Sequence, residues 1–258
     1  MTPFALGRFS GLALDGPARL LFPLLVVMVL GACRDQTREH FIQGTALGTG
    51  YHITLYADLD HDQVAELEAG IEGELASLER QRSSFTRAFD AAFGEFRLSS
   101  TALRHEADRM THALAVDRLA LWLDDHRFAL SAVLVEVGGV MRGHGAPPAG
   151  SWRLSLERTG LPAPDGARHV RIENAAIVHR FARQDVVPLV TLSTPLAVSV
   201  MAPSASQAMR QATQLMQAYP EDAVKLAEAM DSAARVVVKT PQGIEIHHTA
   251  ALEPWLEH

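Results

Sequence analysis

Cysteine is nearly absent: the 258 residues hold one, Cys33, which excludes a disulfide framework. Lysine is almost as scarce. Lys225 and Lys239 are the only two, neither follows a glycine, and so no G-x-x-x-x-G-K-[ST] phosphate loop exists. Positive charge is in deficit overall, 23 Lys and Arg against 30 Asp and Glu for a formal net of -7. That balance argues against general nucleic-acid binding, which needs a basic face to neutralise phosphates. Also missing are a G-x-S-x-G elbow, an H-E-x-x-H helix, any internal repeat and any low-complexity tract. The 12 histidines are scattered; His169 and His179 fall on separate segments, and the pattern is that of surface histidines rather than a metal cluster. With 48% hydrophobic and 21% charged residues, the chain has what it needs for a packed core.

No apolar run is long enough to span a bilayer. The longest, Leu20 to Leu30, covers about 16 Å as a helix, roughly half a hydrocarbon core. Arg8 and Arg19 precede it and Leu30-Gly31-Ala32-Cys33 ends it, so residues 1–32 read as an export signal. Leu-Gly-Ala-Cys resembles the bacterial lipobox, in which the cysteine is acylated and becomes the first mature residue. Cys33 is therefore the expected lipid anchor, holding residues 33–258 to the cell envelope and facing the periplasm. Arg34 at the next position favours the outer membrane by resemblance to known sorting rules.

Past Cys33, the pattern predicts a hairpin over His40 to Ala57 with its turn among Gly44, Gly48 and Gly50, then amphipathic helices over Asp62 to Gln81 and Ser100 to Asp125. A buried strand over Ala129 to Val137 closes on Gly138-Gly139. Short strands follow over Trp152 to Leu156, His169 to Glu173, Ala176 to Phe181, Val186 to Leu192 and Leu196 to Met201. Ser204 and Gln207 have capping-box spacing at the head of a helix that ends near Tyr219-Pro220. A short helix and a last hairpin across Pro241-Gln242-Gly243 complete one α/β (α+β) domain, a mixed sheet packed by helices.

Two glycine stretches could bring backbone N–H groups close to a phosphate or a flavin, Gly44 to Thr49 and Glu136 to Gly139, although tight hairpins use the same residues. Taken in order with other segments they resemble a family. Gly44-Thr-Ala-Leu-Gly-Thr-Gly-Tyr-His-Ile53 is similar to the opening G-T-x-M-G-T-x-Y-x-I of the ApbE family, the FAD:protein FMN transferases. Ala115-Val116-Asp117-Arg118 resembles the end of its K-G-Y-A-V-D-R motif, and Leu134 to Gly139 the strand and glycine turn that follow. Trp152-Arg153-Leu154 resembles P-W-R-V. Ser199 to Ser204, with Ala212-Thr213 further on, resembles V-T-V-I-A-P-S and A-D-A-L-A-T-A.

The resemblance implies an ApbE/T-fold-like scaffold that binds FAD, uses Mg²⁺ to break its pyrophosphate, and transfers FMN to a Thr or Ser of a membrane redox protein. It marks Thr45, Leu47, Gly48, Thr49, Asp117, Glu136, Gly138 and Gly139 for the flavin and Thr213 for the metal; no catalytic residue is assigned. A flavin-accepting subunit of a membrane redox complex is the implied partner. Departures from the family pattern fall on the metal chemistry. The family's lysine is His112 here, and the Asp of A-D-A-L-A-T-A is Met209, a thioether where Mg²⁺ prefers a hard oxygen ligand. The S-G-D-Y and H-I-I-D-P-R-T-G segments have no counterpart. The sequence thus points to a transferase-like lipoprotein with an impaired site, or to a non-catalytic flavin-binding or accessory lipoprotein on the same scaffold.

Overall fold

Two pairs of turn residues with positive φ set the geometry of the sheet. Strand β1 (Arg38–Ala46) returns as β2 (Thr49–Ala57) through Leu47 and Gly48, at φ 56° and 78°. Strand β3 (Ala132–Val137) returns as β4 (Val140–Gly145) through Gly138 and Gly139, at φ 58° and 84°. Positive φ at both central residues gives the two-residue turn whose twist matches that of the flanking strands. Gly44 and Gly50, expected in the first turn, lie in the strands instead. Gly44 is required by a close approach: a Cβ there would stand 2.6 Å from the Tyr51 hydroxyl. Because Tyr51 pairs with Val137, both turns emerge at the same end of the sheet.

The computed structural model describes residues 37–93, 100–156, 169–182 and 194–257. The segment expected to be an export signal, Cys33 and the strand expected over 186–192 lie outside the described residues. Four more strands complete the main sheet: β7 (Ala175–Phe181), β8 (Ala197–Ala202), β9 (Ala233–Thr240) and β10 (Gly243–His248). The spatial order is β1-β2-β3-β4-β7-β8-β9-β10. The α+β class is as expected, and the sheet direction is narrower than expected. Every pair is antiparallel rather than mixed, because each helical excursion is a pair of helices that brings the chain back to the end of the sheet it left.

Those excursions are α1 (His61–Phe93) with α2 (Ser100–Asp124), between β2 and β3, and α3 (Ala205–Gln217) with α4 (Pro220–Ala229), between β8 and β9. The chain therefore runs strand-strand-helix-helix-strand-strand twice, the two halves meeting where β4 pairs with β7. The first helix starts at a reciprocal cap. Asp60 Oδ1 accepts from Gln63 N at 2.8 Å, and Gln63 Oε1 accepts from Asp60 N at 2.9 Å. Its Leu67, Ile71 and Leu75, four residues apart, are buried on the sheet, each contributing roughly 1.5–3 kcal/mol.

Helices cover one face of the sheet over Ile53, Val135, Val178, Val200 and Val236. On the opposite face β5 (Trp152–Ser155), β6 (His169–Ile172) and a 3₁₀ helix (Ala250–Trp255) cover Met141, Ile177 and Met201. Strand β4 was not expected, since Met-Arg-Gly-His-Gly carries no strand propensity. Packing makes it one: a Cβ at Gly143 would come within 2.8 Å of Trp152 Cδ1, so only glycine lets the β5–β6 hairpin close over the sheet.

That hairpin is tied to the chain end at the surface. Glu257 accepts from Arg153 Nε, and from Arg171 Nη2 at 2.7 Å, and its N–H donates to the His169 carbonyl at 2.9 Å. Hydrogen bonds from Arg171 and Arg153 hold the Glu257 carboxyl down to about 2, from an ordinary 4.5. A carboxyl with a depressed folded-state pKa stabilises fully above its unfolded value and loses that contribution as pH falls. Between about pH 4.5 and 2 the urea midpoint of the protein should therefore fall faster than that of Glu257→Gln, the two converging near pH 2. Parallel curves over that interval would refute the clamp.

Candidate functional site

The two turns are stitched together by α2. Gly138 N–H donates to the Gly50 carbonyl at 3.1 Å, and His112 on α2 lies against both turns. Its Nε2 is 3.2 Å from the Leu47 carbonyl oxygen. A carbonyl only accepts, so Nε2 carries the proton and Nδ1 faces Gly138, where a Cβ would stand 2.6 Å away. Leu47 holds φ 56° without being glycine, a strained conformation that its burial, at 4% exposure, offsets.

Two clefts flank this junction. One, of about 480 Å³, lies between the β1–β2 hairpin and α1 and is lined by Thr45, Leu47, Gly48, Tyr51, Glu72 and Glu79. It is acidic. Burial, then the nearby Glu72 and Glu68 charges, push the Tyr51 phenol above its usual range. The second, of about 260 Å³, is lined by Gly138 and Gly139, by Arg109 and His112 of α2, by His179 and Phe181 of β7, by Val140 and Met141 of β4, and by Met209 of α3. It opens where β7 runs on beyond Val178, the residue paired with Val140 at the start of β4. Two thioethers and a phenyl ring beside basic side chains and a glycine turn give an apolar slot with a few convergent polar groups, the ordinary make-up of a cofactor cleft.

Of the residues singled out from the sequence, Gly138 and Gly139 line the second cleft, and Thr45, Leu47 and Gly48 line the first. Thr49 begins β2 opposite Ala46 and lines neither. Glu136 lies on the sheet face away from the helices, 3.8 Å from His52 Nδ1, so it does not join the others.

Asp117 is engaged in capping α3. Its Oδ1 accepts from Ala205 N and from Arg142 Nη1, each at 2.8 Å; its Oδ2 accepts from Ser206 N at 2.9 Å and Ser206 Oγ at 2.6 Å. Ser204 Oγ accepts the third N–H of that turn, from Gln207, at 3.2 Å. All three first-turn donors are thereby satisfied within the protein.

Thr213 accepts a hydrogen bond from Arg180 Nη1 at 2.5 Å. The same Nη1 donates to Glu106 Oε2 at 3.0 Å and Nη2 donates to Glu106 Oε1, a fork on one carboxylate. Sequence reasoning missed Arg180, although a charge inside the apolar run Ala175-Ala-Ile-Val-His-Arg-Phe181 was the available signal. His179 is also no surface histidine: it is half-buried, its Nδ1 2.8 Å from the Ser199 hydroxyl.

These residues do not fit a divalent metal. Thr213 faces a guanidinium, Met209 is a buried thioether at 3% exposure, and among the described residues no group of three His, Cys, Asp or Glu is arranged to hold a metal.

No protein-family model matches the chain, and no curated protein does. Solved structures do. A Pseudomonas stutzeri flavinyl transferase ApbE in its apo form aligns over 86% of this chain and 98% of its own at 17% identity, with a TM-score of 0.65. A flavin transferase ApbE from Vibrio cholerae aligns over 85% and 99% at 16% identity, TM-score 0.64. The ApbE protein of Thermotoga maritima aligns over 86% and 100% at 11% identity, TM-score 0.58. At such identities the likeness is one of architecture, and the fold of this chain is that of the ApbE flavin transferases.

Proposed function

We propose that this protein is an envelope lipoprotein that binds a flavin nucleotide in the Gly138–Gly139 cleft, on a transferase scaffold that no longer performs magnesium-dependent FMN transfer. The lining of that cleft carries the reading. Met141, Met209 and Phe181 offer soft apolar contact to a flat ring system, while Arg109 and His112 offer donors to its polar edges and to phosphate. The neighbouring acidic cleft repels the same anion. At about 260 Å³ the cleft sits just below the usual range for ligand sites and takes one end of a dinucleotide. A chain that retains FMN transfer to a flavin-accepting subunit is the second reading, favoured by the fold of the solved flavin transferases it resembles.

The lipid anchor at Cys33 is part of the proposal and rests on the apolar run and the Leu-Gly-Ala-Cys segment. Among the described residues no helix is long and apolar enough to cross a membrane. Attachment would then come from the acyl chains.

The test uses the full-length protein in mild detergent, titrated into FAD while flavin fluorescence is followed. Saturable quenching is expected, with roughly tenfold weaker binding for Phe181→Ala. With Mg²⁺ and a flavin-acceptor domain added, no covalent flavin should appear on the acceptor. Flavin transfer would establish the second reading, and absence of any quenching would sink both.

A further inference from the structure

Glu106 on α2, Arg180 on β7 and Thr213 on α3 meet beside the cleft. Arg180 is 8% exposed, and a guanidinium keeps its charge at any physiological pH. Both hydrogens on Nη1 are used, one on Glu106 and one on Thr213. Nη2 donates to the second oxygen of Glu106. Three of the five donors are thus taken, and buried Nε has no hydrogen-bond partner among the described residues. Arg109 donates to Glu106 Oε1 at 2.9 Å and also lines the cleft, adding a second positive charge to the same carboxylate.

The position of this charge is informative. Met209, which lines the cleft, and Thr213 lie one turn apart on α3, at the places that correspond by resemblance to a metal-binding Asp and Thr. The carboxylate is gone and the hydroxyl oxygen points at a cation the chain itself supplies. A divalent ion on Thr213 would have to displace a charge-assisted hydrogen bond and sit against a like charge.

We infer that Arg180 is the resident cation of this site, taking the place of a divalent metal, and that the diphosphate of a flavin dinucleotide is held in the cleft by Arg109, with the Arg180 charge behind it, without metal. The metal half of this inference stands on the side chains alone. The identity of the anion rests on the flavin reading above.

Electron paramagnetic resonance of Mn²⁺ tests the metal half on the full-length protein. The free-ion signal should be undiminished by the protein. The double variant Arg180→Ser with Met209→Asp, folded by circular dichroism, should remove about one Mn²⁺ per chain, because Glu106 and Thr213 are released to join the new carboxylate. Mn²⁺ binding by the unaltered protein that Thr213→Val abolishes would overturn the inference, and a folded double variant that binds none would count against it. Should the double variant not fold, the result on the unaltered protein decides alone.

Flavin titrations test the anion half. FAD affinity in EDTA should lie within twofold of that in millimolar Mg²⁺; tenfold tightening by Mg²⁺ would overturn metal-free binding. Arg180→Met should weaken FAD at least tenfold and riboflavin, which has no phosphate, less than twofold. Equal losses for both would mean that Arg180 only supports the fold. If neither flavin binds the unaltered protein, the functional reading falls and the Mn²⁺ result still stands.

Discussion

Asp117→Ala is expected to destabilise the protein by about 3 kcal/mol, measured by urea unfolding. The carboxylate is 13% exposed and its partner Arg142 21%, so the pair is mostly out of water. Truncation would leave that guanidinium without its counter-charge and the N–H groups of Ala205 and Ser206 without acceptors, at the end of a helix where the macrodipole favours negative charge. Asp117→Asn keeps one acceptor and the volume, and should recover about half of the loss. A cost below about 1 kcal/mol would mean that the side chain is not structural. It would then return to the list of candidates for flavin contact. Within the structure it reads the other way: an anion is already seated at the head of α3, and it belongs to the chain.

Glu106→Ala is expected to cost about 2 kcal/mol, less than Asp117→Ala because the Glu106 side chain is 36% exposed, and for a different reason. Arg180 loses the carboxylate that spreads its charge, while burial already lowers its pKa most strongly and Arg109 lowers it further. A buried guanidinium with only Thr213 for a partner is a desolvated, uncompensated charge. Glu106→Ala combined with Arg180→Met removes both halves of the pair and should restore most of the stability, to within about 1 kcal/mol of the unaltered protein, since a buried ion pair replaced by apolar groups is often near neutral. A double variant as unstable as the single one would show that the cost lies in packing around α2 and not in charge.

How far each feature could be read from the sequence follows from the range of the forces involved. The β1–β2 hairpin, the α1 apolar stripe and the Ser204 cap depend on residues within a few positions of one another, and so they are visible in the chain. The Asp117 cap of α3 joins residues 88 and 89 positions apart, and the Arg180–Glu106 fork spans 74. Pattern carries no information about such meetings. Strand β4 is invisible for a related reason. Its glycines look like a loop until Trp152 is placed over Gly143, and only the folded sheet does that. The cleft lay between these cases. Gly138 and Gly139 could be named in advance; Arg109, His179 and Phe181 could not, because nothing local says which side of α2 or β7 they face.

The duplicated strand-strand-helix-helix-strand-strand path has a consequence for how the site comes into being. Each half closes its own hairpins and packs its own helices through contacts that are short in sequence, but β4 and β7 are separated by the β5–β6 excursion and share only four paired positions, from Val140↔Val178 to Gly143↔Ala175. Every other ladder in the main sheet is longer. The junction is closed less by this ladder than by side chains that cross it, the Asp117 cap of α3 and the Arg180–Glu106 fork. The cleft sits on that seam, with Arg109, His112 and the Gly138–Gly139 turn on one bank and His179, Phe181 and Met209 on the other. A half-folded chain thus has no site at all. A ligand seated there acts as a staple across the two halves, adding its binding energy to those crossings.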